Sequence, residues 1–164
     1  LALTHPDRLY SLITVASSPC FMARDEWPGI APKVLIGFNQ MLAGDFRQTI
    51  ERFLAIQAMG SEHARDDIRQ LRHWLAERPA PQFAALEAGL TLLADIDLRE
   101  PLRELDLPWL RIYGRLDSLV PKVAIPLLDD LYPASRSVTL NKASHAPFIS
   151  HPDEFIEIVR DFVG

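Results

Sequence analysis

The chain has 164 residues, of which 48% are hydrophobic and 24% charged, the balance expected of a globular domain rather than a disordered or membrane-embedded one. Its net charge of -5 leaves no basic excess to neutralise phosphates, which argues against nucleic acid as a partner. No stretch approaches the roughly 18 uninterrupted apolar residues of a membrane span, and one cysteine, Cys20, excludes an internal disulfide and fits a reducing, cytoplasmic setting.

The opening "LALTHPDRLY" has neither the basic start nor the apolar centre of a signal peptide. It reads as the tail of a helix running into a strand, so the chain is expected to be a piece of something longer. "LYSLITVA" (9–16) predicts a strand buried on both faces, ended by the proline of "SSPC". From Trp27 to about Ile96 the periodicity becomes helical: Phe46, Ile50, Phe53 and Leu54 share one face, and Ala64, Ile68, Leu71 and Leu75 another. "RPAP" (78–81) interrupts this block, and "QFAALEAGLTLLADI" predicts a further helix. After Pro101 the alternation returns. "LPWLRIYG" and "RSVTLNKA" read as strands, "PKVAIPLLDDLYP" as a helix with Pro121 in its first turn, and "HPDEFIEIVRDFV" as a closing helix capped by His151.

Strands alternating with helices over short connections imply a parallel sheet with helices on its faces. The fold class is therefore α/β with an inserted all-helical lid. Its parts are core over residues 1–22, lid over 23–98 and core again over 99–164.

Catalytic groups in such sheets sit just beyond the carboxyl ends of strands. Asp117, in "YGRLDSLVP", follows one late strand, and His145, in "NKASHAPF", follows the next. Taken singly, each is more simply a turn former or a surface group. Together, on neighbouring parallel strands at one edge, they form a candidate acid–base pair: the carboxylate fixes the imidazole tautomer and the free ring nitrogen takes a proton.

Asp then His beyond late strands, after a helical lid, resembles the second half of an α/β-hydrolase, in which the order is nucleophile, acid, base. The strings "VASSPCF", "RDEWPGI", "ERFLAIQAMG" and "HAPFISHP" are idiosyncratic. They are similar to those of the pimeloyl-acyl-carrier-protein methyl ester esterases of biotin synthesis. The resemblance implies a serine carboxylesterase without cofactor or metal. It would hydrolyse the methyl ester that caps a pimeloyl chain and leave the thioester to the carrier intact. It further implies that Phe53, Leu54, Ala55, Ile56 and Gln57, with His145, contact the substrate, and that Arg52, Arg65 and Arg69 contact the acyl carrier protein. Gln48 stands where the family has another arginine, with Arg47 beside it. A monomer is expected.

The lid charges cancel, with six arginines against six acids over residues 45–78. Arg65, Arg69 and Arg72 nevertheless form a stripe at i, i+4 and i+7, which reads equally as a solvated face paired with Glu62, Asp66 and Asp67. His5, His63, His73 and His151 lack metal-ligand spacing.

No G-x-S-x-G nucleophile turn occurs. Ser11, Ser17, Ser18, Ser61, Ser118, Ser144 and Ser150 all lack the flanking glycines. "LALTHPDR" resembles the end of the helix that follows that turn, so the nucleophile is expected upstream of Leu1 and these 164 residues alone are expected to be inactive. Two other readings stay open: a generalist short-acyl esterase or other hydrolase or lyase of this fold, and a noncatalytic carrier-binding module.

Overall fold

The computed structural model describes residues 1–59 and 64–164; Gly60, Ser61, Glu62 and His63, with the side chains of Ala43, Phe46 and Arg47, lie outside the described residues. Three strands form one sheet in the order β1 (Leu12–Val15), β2 (Trp109–Gly114), β3 (Arg136–Leu140), and both pairings are parallel. Parallel neighbours need long crossovers. Between β1 and β2 run α1 (Pro32–Gly44), α2 (Phe46–Ala58), α3 (Ala64–Ala76) and α4 (Phe83–Asp95). α5 (Ala124–Leu131) joins β2 to β3, and a one-turn α6 (Pro147–Ser150) leads into α7 (Pro152–Val163).

β2 is buried at every position, and the period of two sorts its side chains into two cores. Trp109 and Tyr113 pack with Cys20, Trp27, Leu128 and Tyr132 on one face. Leu110 and Ile112, fully buried, meet Leu140 and Ala143 on the other, closed by Phe155, Ile158, Val159 and Phe162 of α7. Each such aliphatic side chain contributes about 1.5–3 kcal/mol by leaving water.

Arg111 points into the first core and is 1% exposed. Its guanidinium reaches Asp129 at 2.7 Å and the Ser135 hydroxyl at 2.8 Å, and lies over the rings of Trp109 and Tyr113. A buried charge is tolerable only when so enclosed by partners. Among the described residues no buried side-chain nitrogen or oxygen lacks a partner.

Three local expectations are corrected. β1 covers only Leu12–Val15 and is half-buried rather than enclosed, because among the described residues β2 is its one strand neighbour; Tyr10, expected inside it, is 99% exposed. Pro121 precedes α5 instead of entering its first turn. The Asp117 carboxylate gathers the Leu119 and Val120 amides, and a further turn, Ala124 N–H to the Pro121 carbonyl at 2.8 Å, delays the helix to Ala124. His151 occupies the N-cap position of α7, but its ring bonds the Ser150 hydroxyl and caps no backbone amide.

The block between β1 and β2 contains no strand among the described residues, only isolated bridges such as Met22 with Ile30 and Arg24 with Trp27. Asp45 starts α2 by accepting from the Gln48 amide at 3.0 Å. On α3, Ile68 and Leu71 are half-buried and Asp67 is buried, whereas Arg65, Arg69 and Arg72 are exposed and Leu75 turns outward. α4 buries none of its residues fully although it is strongly apolar. Among the described residues no helix is long and apolar enough to cross a membrane.

Candidate active site

The site is built where β2 and β3 end. At Gly114 the chain passes so close to the histidine loop that a Cβ would overlap the Ala143 and Ser144 carbonyl oxygens; only glycine allows that approach. Backbone bonds then lock the two loops: the Arg115 amide donates to Leu140 and the Leu116 amide to Ala143, each at 3.0 Å.

This sets Asp117 opposite His145. Oδ2 of Asp117 lies 2.9 Å from Nδ1 of His145, while Oδ1 accepts from the Leu119 and Val120 amides at 2.7 and 3.0 Å. The carboxylate is 1% exposed and the imidazole 19%. An ionised carboxylate can only accept, so Nδ1 carries the proton and Nε2 keeps its lone pair. The arrangement is a fixed imidazole with one free nitrogen.

The end of α2 is fastened to the same loops. A helix leaves its last carbonyls without intrahelical partners. Here the His145 amide donates to the Gln57 carbonyl at 3.3 Å, and the buried Ser144 hydroxyl donates to the Met59 carbonyl at 2.8 Å. The Ser118 hydroxyl makes a longer contact, 3.5 Å, with the Ile56 carbonyl.

His145 faces a cavity of about 260 Å3, near the small end of the ~300–1,000 Å3 usual for ligand pockets. Its apolar wall comes from Val34, Leu35 and Phe38 of α1, Phe53 of α2, Leu90 and Leu93 of α4, and Phe21, Ile30 and Leu119 from loops. The end of β1 supplies Ala16, Ser17 and Ser18. Ala16 holds a left-handed backbone at φ 46°, a strained turn that brings the two serines round to the cavity. Both hydroxyls are engaged locally, Ser17 with the Val15 carbonyl and Ser18 with the Cys20 carbonyl, each at 2.7 Å.

Of the α2 residues expected at the substrate, Phe53 lines this cavity with His145. Leu54 is buried in the packing, Ile56 faces a separate hollow, and Gln57 meets the site through its backbone carbonyl. Ala55 is exposed. The walls given by α1 and α4 had no sequence signal beyond apolar character; chemistry-bearing residue types alone would not have found them.

Among the arginines, Arg69 pairs with Asp66 at 3.0 Å on an exposed face and Arg72 pairs with Glu51. Arg65 is exposed with no ion pair among the described residues, and Arg52 donates to the Met41 sulfur at 3.4 Å. A larger groove of about 1,100 Å3 lies between residues 24–27, 97–103 and α5. It is open and lined by charges of both signs paired with each other, including Arg99 with Asp97 at 2.7 Å and Arg103 with Glu100 at 3.1 Å, and His145 does not reach it. Size does not make it the chemical site. Among the described residues no group of three or more His, Cys, Asp or Glu is placed to hold a metal ion.

Parallel strands ending in a carboxylate–imidazole pair beside an apolar cavity define a class, and residues 1–152 match the model of the alpha/beta hydrolase fold. The chain belongs to that family. It is 85% identical over all 164 residues to the pimeloyl-acyl-carrier-protein methyl ester esterase of Aeromonas salmonicida and 84% identical to that of Aeromonas hydrophila. In each case it spans 65% of the relative's length. Solved structures agree on the fold: an esterase from Exiguobacterium antarcticum, 20% identical, superposes with a TM-score of 0.82 over 94% of this chain and 57% of its own. A hydrolase from Oleispira antarctica, 16% identical, does so with 0.83 over 99% and 59%.

Proposed function

We propose that this chain carries the acid and base of a serine carboxylesterase that removes the methyl group from a pimeloyl methyl ester borne on acyl carrier protein, releasing methanol. The observation that carries the reading is the 2.9 Å Asp117–His145 contact with its imidazole facing an apolar cavity. The choice of substrate rests on the names of the relatives that share 84–85% of the sequence.

In this reading Nε2 of His145 removes the proton from a serine hydroxyl as the oxygen attacks the ester carbonyl. Asp117 stabilises the imidazolium, which then protonates the departing methoxide. Water repeats the cycle on the acyl-enzyme and frees the carboxylic acid. The reading requires a serine hydroxyl and oxyanion donors in addition to this pair. The lid over residues 23–98 covers the acyl chain, and Arg52, Arg65 and Arg69 meet the acidic carrier. Arg52 and Arg65 are better placed than Arg69, since no carboxylate of the described residues competes for them.

The test is the specificity of the full-length protein. Its kcat/KM for carrier-bound pimeloyl methyl ester is expected to exceed that for short p-nitrophenyl esters by at least tenfold. Equal values would favour a generalist esterase, and carrier binding without turnover would favour an interaction module.

A further inference from the structure

The cavity at His145, about 260 Å3, and a separate hollow of about 310 Å3 between α1 and α2 have two wall residues in common, Val34 and Phe38. They stand four residues apart on α1 and so share one helix face. Val34 is 39% exposed, whereas Phe38 is half-buried, and the ring is the larger part of the partition. Phe38 meets Phe53 of α2 edge to face, with centroids 6.0 Å apart and planes at 88°. Such pairs hold both rings more firmly than burial alone does. Phe53 lines the first space and not the second. Beyond Phe38 the walls include Met41 and Ile56, and no acidic residue among the described ones lines them. Removing the ring would therefore add apolar volume to the cavity.

We propose that Phe38, braced by Phe53, sets the longest acyl chain that the His145 cavity takes; the proposal rests on the esterase reading. An ester with its carbonyl at the imidazole runs its aliphatic chain along the apolar wall. Each methylene that leaves water there is worth about fourfold in binding. The gain stops where the chain meets the ring, because a further methylene must either displace a packed side chain or stay in water. A smaller side chain at position 38 joins the two spaces, and additional methylenes are then buried beside Met41 and Ile56.

The experiment measures kcat/KM of the full-length protein on methyl esters of straight-chain carboxylic acids of increasing length. In the unmodified protein the value is expected to rise by up to about fourfold per methylene, reach a maximum and then fall. Phe38→Ala is expected to move that maximum to chains about two carbons longer or more, Phe38→Leu to move it less, and Phe38→Trp to move it to shorter chains. The position of a maximum does not depend on how much of a variant is folded, so partial misfolding cannot imitate the shift. A maximum at the same length in all four proteins, or a value that never falls with length in the unmodified one, overturns the role of Phe38 alone. Hydrolysis of none of these esters by the unmodified protein overturns the esterase reading and the role of Phe38 with it.

Discussion

The sheet and the four helices inserted into it solve different problems. β2 is closed on both faces, with Leu110 and Ile112 wholly out of contact with water. α4 buries nothing fully and leaves Phe83, Leu92 and Leu93 substantially exposed; α3 turns out Trp74 and Leu75. The closed part holds two side chains in a fixed relation, which acid–base chemistry requires to a fraction of an ångström. The open part leaves apolar and charged side chains in reach of solvent. In the function proposed above, dense packing marks where the reaction is done and sparse packing where the choice of reactant is made.

Four perturbations test that division. The largest effect falls on the pair itself. In the full-length protein His145→Ala and Asp117→Asn are each expected to lower kcat by roughly three to four orders of magnitude, with little loss of thermal stability. Near-normal turnover in either would end the assignment. Next comes packing: Leu110→Ala is expected to cost about 2–5 kcal/mol in denaturant unfolding, whereas Trp74→Ala, on the open side, costs under about 1 kcal/mol. Comparable losses would show that the helices are as tightly integrated as the strands.

Arg65→Glu, which reverses a charge on the open side, is expected to raise KM for the carrier-bound ester several-fold and to leave free methyl esters alone. An unchanged KM would return α3 to the solvated-face reading. The smallest effect lies at the seam, where Asp97 bridges to Cys20 and Arg99 covers Trp27. The hydrogen bonds from Arg99 hold the Asp97 carboxyl down from 3.8 to about 2. The folded form therefore keeps its proton off where the unfolded chain would bind one. The resulting stability is complete above about pH 4 and is lost as the pH falls toward 2. Thermal midpoints of Asp97→Asn across that window are expected to fall less steeply than those of the unmodified protein; parallel curves would assign the acid sensitivity elsewhere.

Much of the closed part was legible in the sequence. "LPWLRIYG" and "RSVTL" announce strands because burial on both faces demands unbroken apolar or β-branched residues, and Asp117 and His145 stand where parallel strands release the chain. The carboxylate–imidazole contact itself was an inference from topology, and Gly114 explains why it is so short: glycine there removes the one atom that would force the loops apart. The cavity was less legible. Val34, Phe38, Leu90 and Leu93 converge from helices far apart in sequence, and each alone is an ordinary hydrophobic position on an amphipathic face. The buried Arg111 was hidden for a related reason, because its partner Asp129 comes from the next helix and no local spacing announces the pair. Strand lengths at the rim were misjudged at β1, since "LYSLITVA" carries no mark of where pairing with β2 stops.

The attachment of α2 to the histidine loop has a consequence for how sequences of this fold diverge. The acceptors on the helix side, at Gln57 and Met59, are peptide carbonyls. A peptide carbonyl is the same whatever side chain stands beside it. Side chains at that end of α2 are thus free to change so long as the backbone path at the junction is preserved.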